Sequence, residues 1–196
     1  EMCIRDSRYI ISNCQTIDNL LELFALHKIC DWDRPSVDII PLFETIPDLE
    51  VCEEIMNSLY NNEEYRKHLK TRGDKQTVML GFSDGTKDGG YFMANWSIYK
   101  AKEHLTSLSK KYGINIAFFD GRGGPPARGG GNTHEFYASM GNKIQADDIQ
   151  LTIQGQTISS NFGTNDSCQY NLEQLLSSGI HNQVFNSERN VLSDED

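Results

Sequence analysis

The stretch TVMLGFSDGTKDGG at residues 77–90 decides the fold. Its first six residues form a short, mostly apolar run of the kind that predicts a strand buried on both faces. The rest is polar and rich in glycine, and a longer helical pattern follows at residues 91–112. Similar apolar runs occupy residues 9–12, 37–43 and 114–119, with a fifth at 149–158, and further helical patterns occupy 16–29, 47–60 and 171–185. This alternation predicts an α/β fold in which helices cover a parallel sheet.

Composition and charge argue against two classes of protein. The 196 residues include 18 Lys+Arg and 28 Asp+Glu, a formal net charge of −10, whereas nucleic-acid binding rests on clustered basic residues. No apolar run approaches the roughly 18–20 residues of a membrane-spanning helix, and no signal peptide opens the chain. The five cysteines are scattered, without a C-x-x-C pair. We therefore expect a cytoplasmic protein with reduced thiols that binds neither nucleic acid nor membrane.

Both ends of the sequence look cut. Residues 1–7 fit no periodic pattern and are interpreted as a non-native leader. Residues 193–196, SDED, have the composition of a helix N-cap and an acidic first turn. A closed α/β barrel usually takes about 250 residues, and four or five strand–helix units would leave open sheet edges. We expect residues 8–196 to be a truncated part of a (β/α)8 TIM-type barrel in a longer protein.

Two carboxylates follow apolar runs at the places where parallel α/β folds bind ligands, beyond the carboxyl ends of the strands. Glu44 and Asp84 would lie on neighbouring strands, and their hard oxygens suit Mg²⁺ or Mn²⁺. The alternative is that Glu44 caps a helix and Asp84 organises a turn. Lys87 follows the same turn and would bind a phosphate or an enolate oxygen, unless it is an ordinary solvated lysine.

A glycine-rich loop at residues 121–131 contains six glycines and two arginines. Its backbone can approach a ligand closely, while Arg122 and Arg128 can grip an anion with paired donors. The loop lacks the Gly-Lys-Ser/Thr ending of a phosphate-binding P-loop, and Pro126 stands where a dinucleotide fingerprint needs glycine. A disordered RGG-type RNA tract is the alternative, but a single copy after a buried strand in an acidic chain argues against it. An oxyanion substrate is the interpretation that fits best.

These junctions resemble phosphoenolpyruvate carboxylase. VMLGFSDGTKDGG at residues 78–90 is similar to that family's active-site lysine signature, with Phe82 for the usual Tyr and Gly85 for the usual Ser. GRGG at 121–124 and RGGG at 128–131 resemble its glycine-rich catalytic loop. PLFET at 41–45 and Gln154-Gly155 match further blocks, so the resemblance spans residues 8–185.

The resemblance implies a segment of the catalytic barrel of a mostly helical, homotetrameric enzyme. It would carboxylate phosphoenolpyruvate with bicarbonate, using Mg²⁺ or Mn²⁺, to give oxaloacetate and phosphate. Glu44 and Asp84 would hold the metal, and three residues would be catalytic: Lys87, Arg122 and Arg128. Four residues of the catalytic loop would bind substrate: Arg122, Gly123, Gly124 and Arg128. Arg128 would also bind the inhibitor aspartate.

The resemblance also carries two departures. Asp120 stands where most family members have His before the Gly-Arg-Gly-Gly sequence, and a divergent branch is the preferred explanation. The family's catalytic His lies in an upstream segment and further arginines lie downstream, so the fragment alone is expected to be inactive. The alternative function is a non-catalytic anion-binding or regulatory module built on the same barrel.

Overall fold

The computed structural model describes residues 8–32, 35–125, 128–141, 143–145 and 148–185, with only the backbone for 181–185. Strands and helices alternate along this part of the chain. The strands are β1 (Arg8–Ile11), β2 (Asp38–Phe43), β3 (Lys75–Gly81), β4 (Asn115–Gly121) and β5 (Ile149–Leu151). The helices are α1 (Ile17–Ile29), α2 (Ile46–Asn61), α3 (Glu63–Thr71), α4 (Ser83–Tyr112), α5 (Thr133–Ala138), α6 (Gln156–Phe162) and α7 (Asn165–Phe185).

The five strands form one sheet in the order β1-β2-β3-β4-β5, and every neighbouring pair is parallel. This confirms the predicted α/β fold with a parallel sheet. The β3–β4 ladder runs the full length of both strands and ends with Gly81 opposite Gly121. The segments that follow these two strands therefore leave the sheet side by side.

The core lies between the sheet and its helices. The central strands contribute buried side chains such as Val78, Leu80 and Phe118, as the apolar runs predicted. Helices α2 and α4 cover them with apolar stripes that include Met56 and Ile98, both fully buried. Burying a side chain of this size contributes about 1.5–3 kcal/mol to stability. The packing between the helices and the central strands therefore holds the ends of these strands in place.

The sheet is strongly curved. Arg8 Nη1 in β1 donates to Gln150 Oε1 in β5 at 2.5 Å, although these are the two outer strands. In a flat five-stranded sheet the outer strands would lie about 19 Å apart, further than these two side chains reach together. Side chains of the two outer strands thus meet, and Lys75 of β3 reaches Asp148, the residue before β5, at 2.8 Å.

Three predicted boundaries are wrong. The fifth strand was expected at residues 149–158, but β5 ends at Leu151 and α6 begins at Gln156, because Gly155 turns the chain at φ 49°. Helix α4 begins at Ser83 rather than near residue 91, and its helical geometry is interrupted at Gly90, where φ is 82°. Helix α7 begins at Asn165, six residues earlier than expected.

The proposed leader at residues 1–7 and the SDED ending lie outside the described residues. Among the helices that the structure does describe, none combines the length and the apolar character needed to cross a membrane.

Candidate active site

The carboxyl edge of the sheet, meaning the residues directly after strands β2, β3 and β4, collects the predicted site residues. Glu44 follows β2, and its Oε2 accepts the backbone N–H of Asn13 at 3.0 Å. Helix α2 begins two residues later with a capping box, in which Thr45 is the N-cap and Asp48 Oδ2 accepts the N–H groups of Thr45 and Glu44 at 2.9 and 3.3 Å. Because Asp48 and Thr45 supply the capping bonds, Glu44 does not act as the cap itself.

Asp84 and Lys87 occupy the first turn of α4, directly after β3. Lys87 Nζ donates to Asp84 Oδ1 at 2.8 Å, and the two side chains are 60% and 47% exposed. An ion pair with this exposure contributes little to stability, about 0–1 kcal/mol. Both groups therefore remain accessible to a ligand that approaches the carboxyl edge.

Two glycines bring Glu44 against the segment that carries Asp84. A Cβ on Gly81 would lie 3.1 Å from the Glu44 Cα, and one on Gly85 would lie 3.3 Å from the Glu44 carbonyl oxygen. Glu44 thus packs against residues on both sides of Asp84, and the structure brings the two carboxylates to one edge. Within the described residues no group of three or more His, Cys, Asp or Glu side chains is placed to hold a metal ion.

The glycine loop folds back on itself and on its neighbours. A Cβ on Gly123 would lie 1.5 Å from the Thr152 carbonyl oxygen, and one on Gly130 would lie 1.7 Å from that of Gly124. Gly129 has φ +80°, and a Cβ there would lie 2.6 Å from the Phe82 Cβ at the end of β3. Side chains at these positions would push the loop away, so glycine is required for it to reach the segment before Lys87.

Arg122 lies inside this loop and is 3% exposed. Its Cζ lies 3.9 Å from the Phe136 ring centroid and 5.7 Å from that of Phe82. Burial lowers the pKa of Arg122, opposed by its neighbours, yet a guanidinium stays charged in proteins. Among the described residues, its buried Nε and Nη1 atoms have no hydrogen-bond partner. Buried donors are nearly always satisfied, so these two point to a ligand that accepts them.

Arg128, the second arginine of the loop, is exposed. The Cβ that Gly124 lacks would lie 3.5 Å from the Arg128 Cβ, in ordinary contact. Both arginines belong to one loop in the sequence, but the structure gives them different environments. Arg122 is held by aromatic rings, whereas Arg128 is open to solvent.

Sequence reasoning missed the residues behind Arg122. Lys102 in α4 is 2% exposed, and its Nζ donates to Asp120 Oδ2 at 2.8 Å. Tyr137 OH donates to the same oxygen at 2.8 Å. One signal was present: Lys102 interrupts the apolar stripe of Ile98 and Leu105 on α4. A lysine at such a position must find a buried partner.

These features are typical of a class of α/β proteins, those with a ligand site at the carboxyl ends of parallel strands. The comparison with known families narrows the class. The family model described as phosphoenolpyruvate carboxylase matches residues 3–192 of the 196. The chain belongs to the phosphoenolpyruvate carboxylase family, a family of carboxy-lyases, which confirms the resemblance found in the motifs.

Proposed function

We propose that the complete protein containing this chain carboxylates phosphoenolpyruvate with bicarbonate to give oxaloacetate and phosphate. The observation that carries the proposal is Arg122, whose buried guanidinium has two nitrogen donors, Nε and Nη1, without a partner in the part of the chain that the structure describes. Arginine suits bidentate binding of phosphate or carboxylate, and phosphoenolpyruvate carries both groups. Family membership supports this choice among anions.

The reaction separates into two steps with balanced bonds. An oxygen of bicarbonate attacks phosphorus and the bond from phosphorus to the enol oxygen breaks, which gives carboxyphosphate and the enolate of pyruvate. Carboxyphosphate then breaks into carbon dioxide and phosphate, which keeps the bicarbonate proton, and the enolate carbon attacks carbon dioxide. Negative charge moves onto the enolate oxygen and the phosphate oxygens. Preorganised cations stabilise such charge in a water-poor site.

The described residues supply two such cations and a glycine-rich backbone that closes on them. Arg122 binds the phosphoryl group from its aromatic setting and holds it while charge develops. Lys87, paired with Asp84 through an exposed ion pair, turns its ammonium toward the enolate oxygen when substrate enters. Gly123 and Gly124 bring the loop backbone close to the substrate and exclude water, since both are buried.

Glu44 and Asp84 fit a divalent metal by their chemistry. Both are carboxylates at one edge of the sheet, and Mg²⁺ is typically held by one or two carboxylates together with substrate oxygens and water. Mn²⁺ accepts the same ligands. When bound, the metal would supply positive charge that stabilises the enolate.

Arg128 is proposed as a second contact to substrate and as the residue that takes aspartate as an inhibitor. Its exposure leaves the guanidinium accessible to a free amino acid. The homotetramer and the cytoplasmic location that the resemblance implies stay predictions.

The test is an assay of bicarbonate-dependent oxaloacetate formation with Mg²⁺ by the complete protein. Arg122→Ala and Lys87→Ala should each lower kcat/KM by about 100- to 1,000-fold. Lys67→Ala is the matched control, because Lys67 forms the same kind of exposed i,i+3 pair, with Glu64 at 2.7 Å, away from the carboxyl edge. Unchanged turnover in both site variants would contradict the assigned roles. Binding of phosphoenolpyruvate without turnover in the unaltered protein would favour the non-catalytic, anion-binding alternative.

A further inference from the structure

A buried polar cluster lies directly behind Arg122. Asp120 is 1% exposed, and its Oδ2 accepts two hydrogen bonds, from Lys102 and from Tyr137, both at 2.8 Å. Burial and the Asp120 charge raise the pKa of Tyr137 well above its usual value, so its hydroxyl is a donor. The Lys102 ammonium also lies 5.3 Å from the ring centroids of Phe118 and Phe136.

Asp120 is also a neighbour of Arg122. Asp120 lies in β4 and Arg122 is the first residue after this strand, so an extended chain places the two residues roughly 7 Å apart. The Phe136 ring lies between the two cations. Its centroid is 5.3 Å from Lys102 Nζ and 3.9 Å from Arg122 Cζ. The Asp120 charge acts on Arg122 and raises its pKa against the effect of burial.

The unsatisfied atoms are complementary. Within residues 8–32, 35–125, 128–141, 143–145 and 148–180, Asp120 Oδ1 is a buried acceptor without a partner, and Arg122 Nε and Nη1 are buried donors without one. A carboxylate and a guanidinium in such proximity form a bidentate pair wherever their side chains are free to do so. Among the described residues no ion pair joins them, and the other Asp120 oxygen is held by Lys102 and Tyr137.

We propose that Lys102, assisted by Tyr137, is a positioning residue that anchors Asp120 away from Arg122 and so keeps the two guanidinium N–H groups free for the anionic substrate. The proposal rests on the function proposed above. Lys102 touches neither substrate nor reacting atoms in this scheme. It acts by preventing an internal carboxylate from occupying the substrate's donors.

The expected effect follows from population arithmetic. If Asp120 captures Arg122 in all but about 1–10% of molecules, the apparent affinity for phosphoenolpyruvate falls by about 10- to 100-fold, while molecules that do bind turn over normally. A merely structural role would instead reduce the folded fraction, which lowers the apparent kcat and leaves KM unchanged.

The experiment compares KM and kcat for phosphoenolpyruvate in the complete protein, with folding checked by circular dichroism and thermal unfolding. Lys102→Met should raise KM by about 10- to 100-fold with kcat within about threefold. Adding Asp120→Asn to Lys102→Met should bring KM back toward the unaltered value, because the capturing charge is gone. Lys102→Arg should keep the anchor and largely preserve KM. Lys110→Met, an exposed lysine of the same helix, is the control and should change neither constant.

A folded Lys102→Met protein with unchanged KM overturns the proposal, and so does a double variant whose KM stays as high as that of Lys102→Met. Should Lys102→Met not fold, Tyr137→Phe removes a single donor and should raise KM by a few-fold, again reversed by Asp120→Asn. Absence of turnover in the unaltered protein would instead refute the proposed function. In that case the positioning role of Lys102 is tested by measuring the Kd of phosphoenolpyruvate for the same variants by calorimetry. An equal Kd in Lys102→Met and the unaltered protein overturns that role.

Discussion

The two edges of the sheet use the same kinds of residue in opposite ways. At the amino edge, meaning the residues at the starts of the strands, charges pair with one another: Lys75 with Asp148 at 2.8 Å, and Arg72 with Asp38 at 2.6 Å. At the carboxyl edge, two guanidinium nitrogens of buried Arg122 have no hydrogen-bond partner among the residues that the structure describes. Charges of opposite sign are paired at the amino edge, whereas the buried Arg122 guanidinium at the carboxyl edge has no ion-pair partner among the described residues.

The unpaired atoms show where a ligand belongs. Seven buried side-chain nitrogen or oxygen atoms lack a hydrogen-bond partner within the described residues, and four of them belong to Ser83, Asp120 and Arg122 at the carboxyl edge. Two others belong to Arg66 and Asp74, which lie 3.6 Å apart at the amino edge and compensate each other's charge. Since native proteins rarely leave such atoms unsatisfied, the carboxyl edge is the part of the sheet that is incomplete without a ligand.

The largest expected difference between the edges comes from glycine. Gly123→Ala would place a Cβ 1.5 Å from the Thr152 carbonyl oxygen, so the loop must move. Overpacking of this kind costs about 1–3 kcal/mol, and displacing the loop by about 1 Å costs roughly 100-fold in kcat/KM. Steady-state kinetics and chemical unfolding of the complete protein measure the two effects.

Gly73, near the amino edge, provides the control. It has φ +75° and nothing within 4 Å of a Cβ built on it, so Gly73→Ala should cost about 1 kcal/mol from backbone strain alone. The kcat/KM of the Gly73→Ala variant should match that of the unaltered protein. Equal losses of activity in the two variants would mean that the glycine loop has no special role.

The order of the strands and most of their positions could be predicted from the sequence, because strands buried on both faces leave short apolar runs. The first turns of α4 could not. The stretch at residues 83–90 has three glycines among its polar residues, a composition typical of a loop. It is helical because Asp84 lies in the first turn, where it favours the helix dipole, and Thr86 Oγ1 donates to the Phe82 carbonyl at 2.7 Å.

The candidate site was predictable to the extent that it follows strand ends. Glu44, Asp84, Lys87 and Arg122 come directly after strands or in the next turn, and parallel topology brings them to one edge. The anchor behind Arg122 was not predictable, because Lys102 and Asp120 lie 18 positions apart on a helix and a strand. Their contact depends on how α4 packs on β4, which no local pattern encodes.

A smaller difference is expected in the dependence on metal. Asp84→Asn should raise the Mg²⁺ concentration for half-maximal activity by about 10- to 100-fold, since one charged oxygen ligand is lost. A titration with Mn²⁺ monitored by electron paramagnetic resonance measures metal affinity directly, without a need for turnover. Asp38→Asn removes a carboxylate of the amino edge that pairs with Arg72, and it should leave the metal requirement unchanged. Similar shifts in both variants would place the metal elsewhere.

Regulation should depend on the exposed arginine of the loop. Arg128→Gln should raise the inhibition constant for aspartate by about tenfold. This corresponds to roughly 1.4 kcal/mol, as expected when one charged contact is lost. Inhibition curves at fixed phosphoenolpyruvate measure this. Arg8→Gln, which removes an arginine at the amino edge, should leave the inhibition constant unaltered. An Arg128→Gln protein that aspartate inhibits normally would remove Arg128 from the regulatory site.

The smallest expected effect is at the amino edge. Lys75 Nζ lies 2.8 Å from Asp148 Oδ2, with side chains 44% and 40% exposed, so Lys75→Met should change the free energy of unfolding by no more than about 1 kcal/mol and leave kcat/KM unaltered. The hydrogen bond from Lys75 lowers the pKa of Asp148. A carboxylate whose pKa is lower in the folded state stabilises the fold above its unfolded pKa of about 3.9. The difference between the two proteins should therefore stay constant from pH 7 to about pH 5 and disappear only as the pH falls through the lowered pKa. Chemical unfolding at several pH values measures this, and a loss of activity in Lys75→Met would show that the two edges are not separable.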